Sequence, residues 1–207
     1  MMIAFGIIIS SLIQLAYFIR MTLRLRIRGY QAVSKDQIPE VTVLVCVKKY
    51  DSHLVHTLSA LMRQKYSACK VFIMNDGYDA QTEQCCKDIF QLNPSISGQY
   101  QSTGTQQIGK KLAIQHAINL IDTDYIIQTD ADCIPNSDRW VETMMAALSH
   151  HNELVIGVSP YLESLGLLGV FIRYDAILPV CLYLSEAEYG HYYMAVGRNM
   201  AYRKNLF

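Results

Sequence analysis

Three β-rich runs mark out the chain, and each gives way to polar residues at its end. Val41-Thr42-Val43-Leu44-Val45-Cys46-Val47 passes into Lys48-Lys49. Lys70-Val71-Phe72-Ile73-Met74 passes into Asn75-Asp76-Gly77. Tyr125-Ile126-Ile127-Gln128-Thr129 passes into Asp130-Ala131-Asp132. A near-continuous apolar run, unlike a strict alternation, fits a parallel strand covered on both faces. Between the runs the period changes. Leu54, Val55, Leu58, Leu61 and Met62 recur at helical spacing, and residues 80–90 are helix-like. Residues 110–121 predict a helix whose apolar face is Leu112, Ala113, His116, Ala117 and Leu120. Residues 140–148 predict another, with Val141, Met144, Met145 and Leu148 inward. Such stripes are what a surface helix presents to a core. Residues 155–160 predict a further short strand, and residues 94–104, rich in Ser, Gly and Gln, predict a loop.

Strand, helix, strand, helix, strand is the order of a doubly wound α/β fold with a mostly parallel sheet. In such sheets ligands bind beyond the carboxyl ends of the strands, where the strand order reverses. The clusters Lys48-Lys49, Asn75-Asp76 and Asp130/Asp132 all fall at strand ends and are expected to converge on one crevice. Asp130 and Asp132 are two apart, so in extended backbone they share a face while Ala131 points away. Paired carboxylates suit a hard divalent cation such as Mg²⁺ or Mn²⁺, which keeps other positions for water and substrate phosphate. Asp-x-Asp alone is also what a solvated strand end looks like; its surroundings decide. No glycine fingerprint follows the first strand and no P-loop is present, which weighs against hydride transfer and ATP hydrolysis.

Met1 to Ile19 carries no charged side chain and is followed by Arg20, Arg24, Arg26 and Arg28. As a helix these 19 residues rise about 28 Å, close to the ~30 Å hydrocarbon thickness of a bilayer. The arginines place that end in the cytoplasm by the positive-inside rule. A cleaved signal peptide has its charge before the apolar run, the reverse of this order. The expected organisation is a transmembrane anchor at 1–22, a basic juxtamembrane segment and linker at 23–40, and one domain at 41–207. The chain would then be a single-pass protein of the cell (inner) membrane with a cytoplasmic domain. A second apolar stretch, 166–185, is interrupted by Arg173, Asp175 and Pro179. Mid-span charges are costly in lipid, so it reads either as an interfacial helix or as a helix buried over the sheet.

Composition narrows the partners. Lys+Arg and Asp+Glu are both 18, so net charge is zero, which gives no support for nucleic acid as a partner. The 51% hydrophobic content agrees with a membrane contact. Six cysteines form no C-x-x-C pair and no disulfide or zinc spacing, so reduced thiols are the simplest reading.

With these features in order, the segments "VTVLVCVKKYDSHLVHTLSALMRQKY", "KVFIMNDGYDAQT", "GKKLAIQHAINLIDTDYIIQTDADCIP" and "VGRNMAYRKNLF" resemble the family-2 glycosyltransferases of GT-A fold. They look most like membrane-anchored bacterial members related to cellulose and hyaluronan synthases. The resemblance covers residues 41–207. It implies a nucleotide-sugar donor, most often UDP-linked, a divalent metal on its diphosphate, and a saccharide or lipid-linked acceptor. It places Asp76 at the nucleotide base, Asp130 and Asp132 at the metal and ribose, and Lys110 near the donor. Cys46, Val47 and Lys48 match the turn around base and ribose, and Gly197 and Asn199 match a loop near donor sugar and acceptor. Two departures stand out. Lys49 and Tyr50 replace the family's usual Asn-Glu. The acidic catalytic-base motif and the Gln-x-x-Arg-Trp segment that follow in the family would lie beyond Phe207, so no residue here is assigned as the base. The rival readings are a truncated, non-catalytic donor-binding remnant and a sugar-1-phosphate nucleotidyltransferase. The latter wants a Gly-rich loop after the first strand, where "VCVKKYDSH" has no glycine.

Overall fold

A computed structural model describes residues 2–25, 38–148, 152–162 and 166–207. Arg26, Arg28 and the linker up to residue 37 lie outside the described residues. The chain divides into two compact units, residues 30–159 with 196–207, and residues 1–29 with 160–195.

The larger unit is a six-stranded sheet. β1 (Val41–Val47), β2 (Cys69–Asn75), β3 (Ser97–Ser102) and β4 (Tyr125–Asp130) are parallel, and β6 (Asn199–Arg203) runs antiparallel between β4 and β5 (Leu154–Ile156), in the order β3-β2-β1-β4-β6-β5. The expected doubly wound, mostly parallel sheet is what is seen. Alternation along the strands sends side chains to two separate cores. Val41, Val43, Val45, Val71, Ile73 and Ile127 pack under α2 (Ser52–Leu61), α3 (Ala80–Leu92) and α5 (Trp140–Ala147). Leu44, Phe72, Met74, Ile126 and Tyr202 pack under α4 (Lys110–Leu120). Every one of these strand residues is at most 3% exposed, as strands sandwiched between helix layers require.

Two expectations are corrected. Residues 94–104 are not all loop, since β3 lies within them and pairs with β2 from Lys70↔Ser97 to Asn75↔Ser102. β3 is an edge strand of sequence Ser-Gly-Gln-Tyr-Gln-Ser with no residue fully buried; backbone pairing makes it a strand, and no apolar pattern announces it. The face of α4 is also rotated from the expected one. Ala113, Ala117 and Ile118 are buried, with Ile114 packed beside them, while Leu112 and Leu120 are about half exposed. The sequence offers two overlapping stripes at the same period, and the small alanines allow the helix to sit close to the sheet.

Asp79 caps α3, accepting from the Thr82 backbone N–H at 3.0 Å and hydroxyl, and from the Tyr50 N–H at 3.1 Å. It thereby ties the turn after β1 to the start of α3. The Thr82 hydroxyl, before any other contact, holds the Asp79 carboxyl below its usual value. A carboxylate with a depressed folded value stabilises the fold above its unfolded value of ~3.9 and loses that contribution as pH falls through the folded value. Asp79→Ala is therefore expected to cost about 1 kcal/mol at neutral pH. The gap from wild type should close below about pH 4, as read by thermal unfolding of the solubilised chain at several pH values.

The smaller unit holds α1 (Met2–Arg24) and α6 (Leu167–Ala187). Both are long and apolar enough to cross a membrane by length and composition. Arg24 bonds Glu186 at 2.9 Å, Arg20 reaches the same carboxylate at 3.3 Å, and the Arg24 guanidinium lies 4.0 Å from the centre of the Tyr189 ring. A helix at 166–185 was expected either interfacial or buried over the sheet. Of α6, Gly169, Val180, Tyr183 and Ser185 are buried.

Candidate functional site

The register aligns the carboxyl ends of the central strands. Cys46 stands opposite Met74 on one side and Asp130 on the other, and Val47 stands opposite Asn75. β1 is flanked by β2 and β4, so the sheet's order reverses here, at the position where such folds bind ligands. Parity sends Cys46 and Asp130 to the α4 face, and the N-terminus of α4 gathers what stands there. Asp76, 7% exposed, accepts from the Ile108 N–H at 2.7 Å and the Gly109 N–H at 3.1 Å. Lys110, the first residue of α4, forms an ion pair with Asp130. Two of the three rim clusters thus meet at one helix start, where free N–H groups favour negative charge.

Gly109 makes this possible. Its φ of +92° and ψ of 146° lie in a region that side-chain-bearing residues avoid, and its N–H is one of the two aimed at Asp76. Gly109→Ala should cost about 1–3 kcal/mol and release the loop from Asp76, seen as a lower unfolding midpoint and faster amide exchange at Ile108.

The other side of the crevice is the turn after β4. Asp132 is exposed and Cys133 partly buried, and ligand atoms of Asp130, Asp132 and Cys133 lie within 4.8 Å of one another. The Cys133 thiol faces an Asp132 oxygen at 3.7 Å, and its N–H donates to the Asp130 carbonyl at 3.1 Å. Burial, then the charges of Asp132 and Asp130, push the Cys133 thiol up to about 11. Burial pushes Cys46 up to about 12 against the opposing pull of Lys110. Both are neutral thiols near pH 7, unlike an activated nucleophile, whose value is lowered. The loop that follows is fixed by Gln64, which donates to the Ser137 carbonyl at 2.8 Å and accepts from the Val141 N–H at 3.0 Å.

β6 closes the floor. Gln128 donates to the Gly197 carbonyl at 2.9 Å, and Thr129 donates to the Arg198 carbonyl at 3.0 Å. Asn199, opposite Thr129, spends both ends of its amide. Its oxygen accepts from Trp140 Nε1 at 3.1 Å, and its nitrogen donates to the Val158 carbonyl at 3.2 Å. Gly157 lies so close that a Cβ there would come within 2.4 Å of that amide.

Of the residues singled out from sequence, Cys46, Asp76, Lys110, Asp130 and Asp132 stand around the α4 start and the adjoining turn. Val47 is buried and contributes its carbonyl to the Asp76 N–H at 2.7 Å. Lys48 is exposed at the rim, and Asn199 braces the floor. Sequence reasoning passed over Cys133 and Gln64. Cys133 was legible as the neighbour of an Asp-x-Asp pair, whereas Gln64 acts 73 residues away and left no local signal.

Comparisons with known proteins agree with this frame. A mannosyltransferase, PcManGT from Pyrobaculum calidifontis, solved with GDP-Man and Mn2+, superimposes with a TM-score of 0.70 at 16% identity, over 93% of this chain and 52% of that one. S. aureus TarS in complex with UDP-GlcNAc gives 0.56 at 14% identity, over 81% of this chain and 46% of that one. A mycobacterial protein gives 0.57 at 15% identity, over 81% and 54%. The chain thus spans about half the length of these structures. At such identities the likeness is one of fold, the GT-A sheet. No curated protein sequence matches the chain. The model for "Glycosyl transferase family 2" matches residues 42–207, four-fifths of the chain and all of its sheet but Val41, so the chain belongs to glycosyl transferase family 2.

Proposed function

We propose that this chain binds a nucleotide-diphosphate sugar, UDP-linked as in the family's commonest case, and serves its transfer to a saccharide or lipid-linked acceptor with inversion at the anomeric carbon. The observation that carries the reading is the meeting of Asp76 and Asp130 at the start of α4. Asp76 is the acceptor for an N–H of the base; a carboxylate offers about four acceptor sites, so its two backbone donors leave it capacity. Cys46, Val47 and Lys48 border the base and ribose. The Lys110 ammonium, paired with Asp130, is the cation at hand for a phosphate oxygen. Asn199 holds Trp140 and the 157–158 backbone in place beneath the sugar.

The residues present fit a divalent cation, because the Asp130 and Asp132 oxygens converge at the crevice and carboxylates are hard donors suited to Mg²⁺ or Mn²⁺. Such an ion, when bound, supplies electrostatic stabilisation of a leaving diphosphate. α1 anchors the chain in the cell membrane, with its arginine end and the sheet on the cytoplasmic side. The test is calorimetric titration of the full chain with UDP- and GDP-sugars in Mn²⁺, in Mg²⁺ and in chelator. Saturable binding that chelator weakens is expected. An absence of binding in every arm overturns the proposal.

A further inference from the structure

α6 is long and apolar enough to cross a membrane, yet the strands on either side of it in the chain forbid a single crossing. β5 precedes it and β6 follows it, and the two pair with each other from Leu154↔Tyr202 to Ile156↔Met200. One crossing would leave these strands on opposite sides of the bilayer. A return through lipid would need a second spanning element. Residues 188–198 contain no helix or strand, and irregular backbone is not tolerated facing hydrocarbon. Charge agrees, since Arg173 and Asp175 stand in the first half of the helix, where mid-bilayer depth is costly.

Most of the helix is nonetheless exposed among the described residues. Leu167 is 90% exposed and Leu168 71%, with Val170, Phe171, Tyr174 and Ile177 exposed after them. α1, in the same compact unit, shows what covers such a surface. It carries no charge before Arg20 and its spanning segment has no buried residue. Glu186, near the end of α6, is bonded to Arg20 and Arg24, near the end of α1. The polar end of α6 is therefore held at the level where the charges of α1 begin. For a spanning helix, that level is the headgroup region.

We infer that α6 is a monotopic docking helix, inserting Leu167, Leu168, Phe171 and their exposed neighbours into the headgroup–acyl boundary of the bilayer that α1 enters, without crossing it. The partner is a lipid surface. The inference rests on α1 as the anchor proposed above. Binding of a helix at the interface grows with the apolar area it buries there, and the exposed side chains of α6 supply that area.

The experiment uses the full chain in phosphatidylcholine–phosphatidylglycerol vesicles. A benzoylphenylalanine photoprobe replaces Phe171 or, as a control, Leu92, which is 79% exposed at the end of α3 in the other unit. Irradiation is expected to give lipid adducts from position 171 and none from 92. In a Phe171→Trp variant, the emission gained over wild type should be quenched more by lipids brominated near the headgroup than by lipids brominated at the chain ends. A vesicle-bound chain that yields no lipid adduct at 171, that crosslinks there to a second copy, or that is quenched more by chain-end bromines overturns the inference. A chain that fails to sediment with vesicles overturns the anchor itself, and the docking with it.

Discussion

Asp132→Ala is expected to lower the Mn²⁺-dependent affinity for a nucleotide-diphosphate sugar by about tenfold or more, at least about 1.4 kcal/mol, with little change in stability. The two effects separate because of where Asp132 stands. It is exposed in the turn after β4, and exposed substitutions away from caps and cores usually move stability by about 0.5 kcal/mol or less. Its oxygens converge with those of Asp130, and Asp130 is shared with Lys110, so the negative charge left for a cation depends heavily on Asp132. The same reasoning gives Lys110→Met the opposite sign for metal alone. Without the ammonium, Asp130 is free, so Mn²⁺ binding in the absence of donor should tighten while nucleotide-sugar binding weakens. Calorimetry with Mn²⁺ alone and then with Mn²⁺ and donor reads both variants. Unchanged donor affinity in Asp132→Ala removes the metal-site assignment. Parallel loss of metal and donor binding in Lys110→Met removes the competition between lysine and cation.

The parts of this fold legible in sequence are those where one physical requirement dominates. β1, β2 and β4 are covered on both faces, so the demand for apolar side chains is continuous and their limits read to within a residue. α5 likewise shows one unambiguous stripe, Val141, Met144, Met145 and Leu148, all buried. β3 escaped notice because an edge strand needs only backbone partners, and Ser-Gly-Gln-Tyr-Gln-Ser supplies those with no apolar pattern. α4 was placed correctly but turned, because Leu112 and Leu120 compete on periodicity alone with Ile114 and Ile118; the choice is made by what the sheet can accept. At the site, the expected shared strand face of Asp130 and Asp132 is not how they meet: β4 ends at Asp130 and Asp132 lies in the turn beyond it, so it is the turn that brings their oxygens together. The partners of Asp76 and Asn199 were not legible either. They arrive from a loop 32 residues distant and a helix start 59 residues distant, and only the folded register brings them in.

Asn199→Ala is expected to lower stability by about 1 kcal/mol, the net worth of a typical hydrogen bond, since the Trp140 bond is part-buried and the Val158 bond exposed. Two groups lose their partner at once, the Trp140 indole N–H and the Val158 carbonyl. Asn199→Asp tests which half matters. It keeps an acceptor for Trp140 but turns a carboxylate oxygen toward the Val158 carbonyl, where repulsion replaces a bond, so it should recover the Trp140 contact and not the strand end. Trp140 is the only tryptophan in the chain, so its emission reports directly on that contact. Wild type and Asn199→Asp should share an emission maximum that Asn199→Ala shifts. In a chain of this size the alanine variant's midpoint should fall by about 2–4 °C per kcal/mol. The loss should reach the crevice as well, because Asn199 is followed through β6 by the strand that pairs with β4 up to Thr129, one residue before Asp130. Donor affinity falling together with the emission shift would mark Asn199 as a positioning residue. An emission shift with donor affinity intact would confine it to the architecture, and neither change would mean that the Trp140–Asn199 bond does not form in solution.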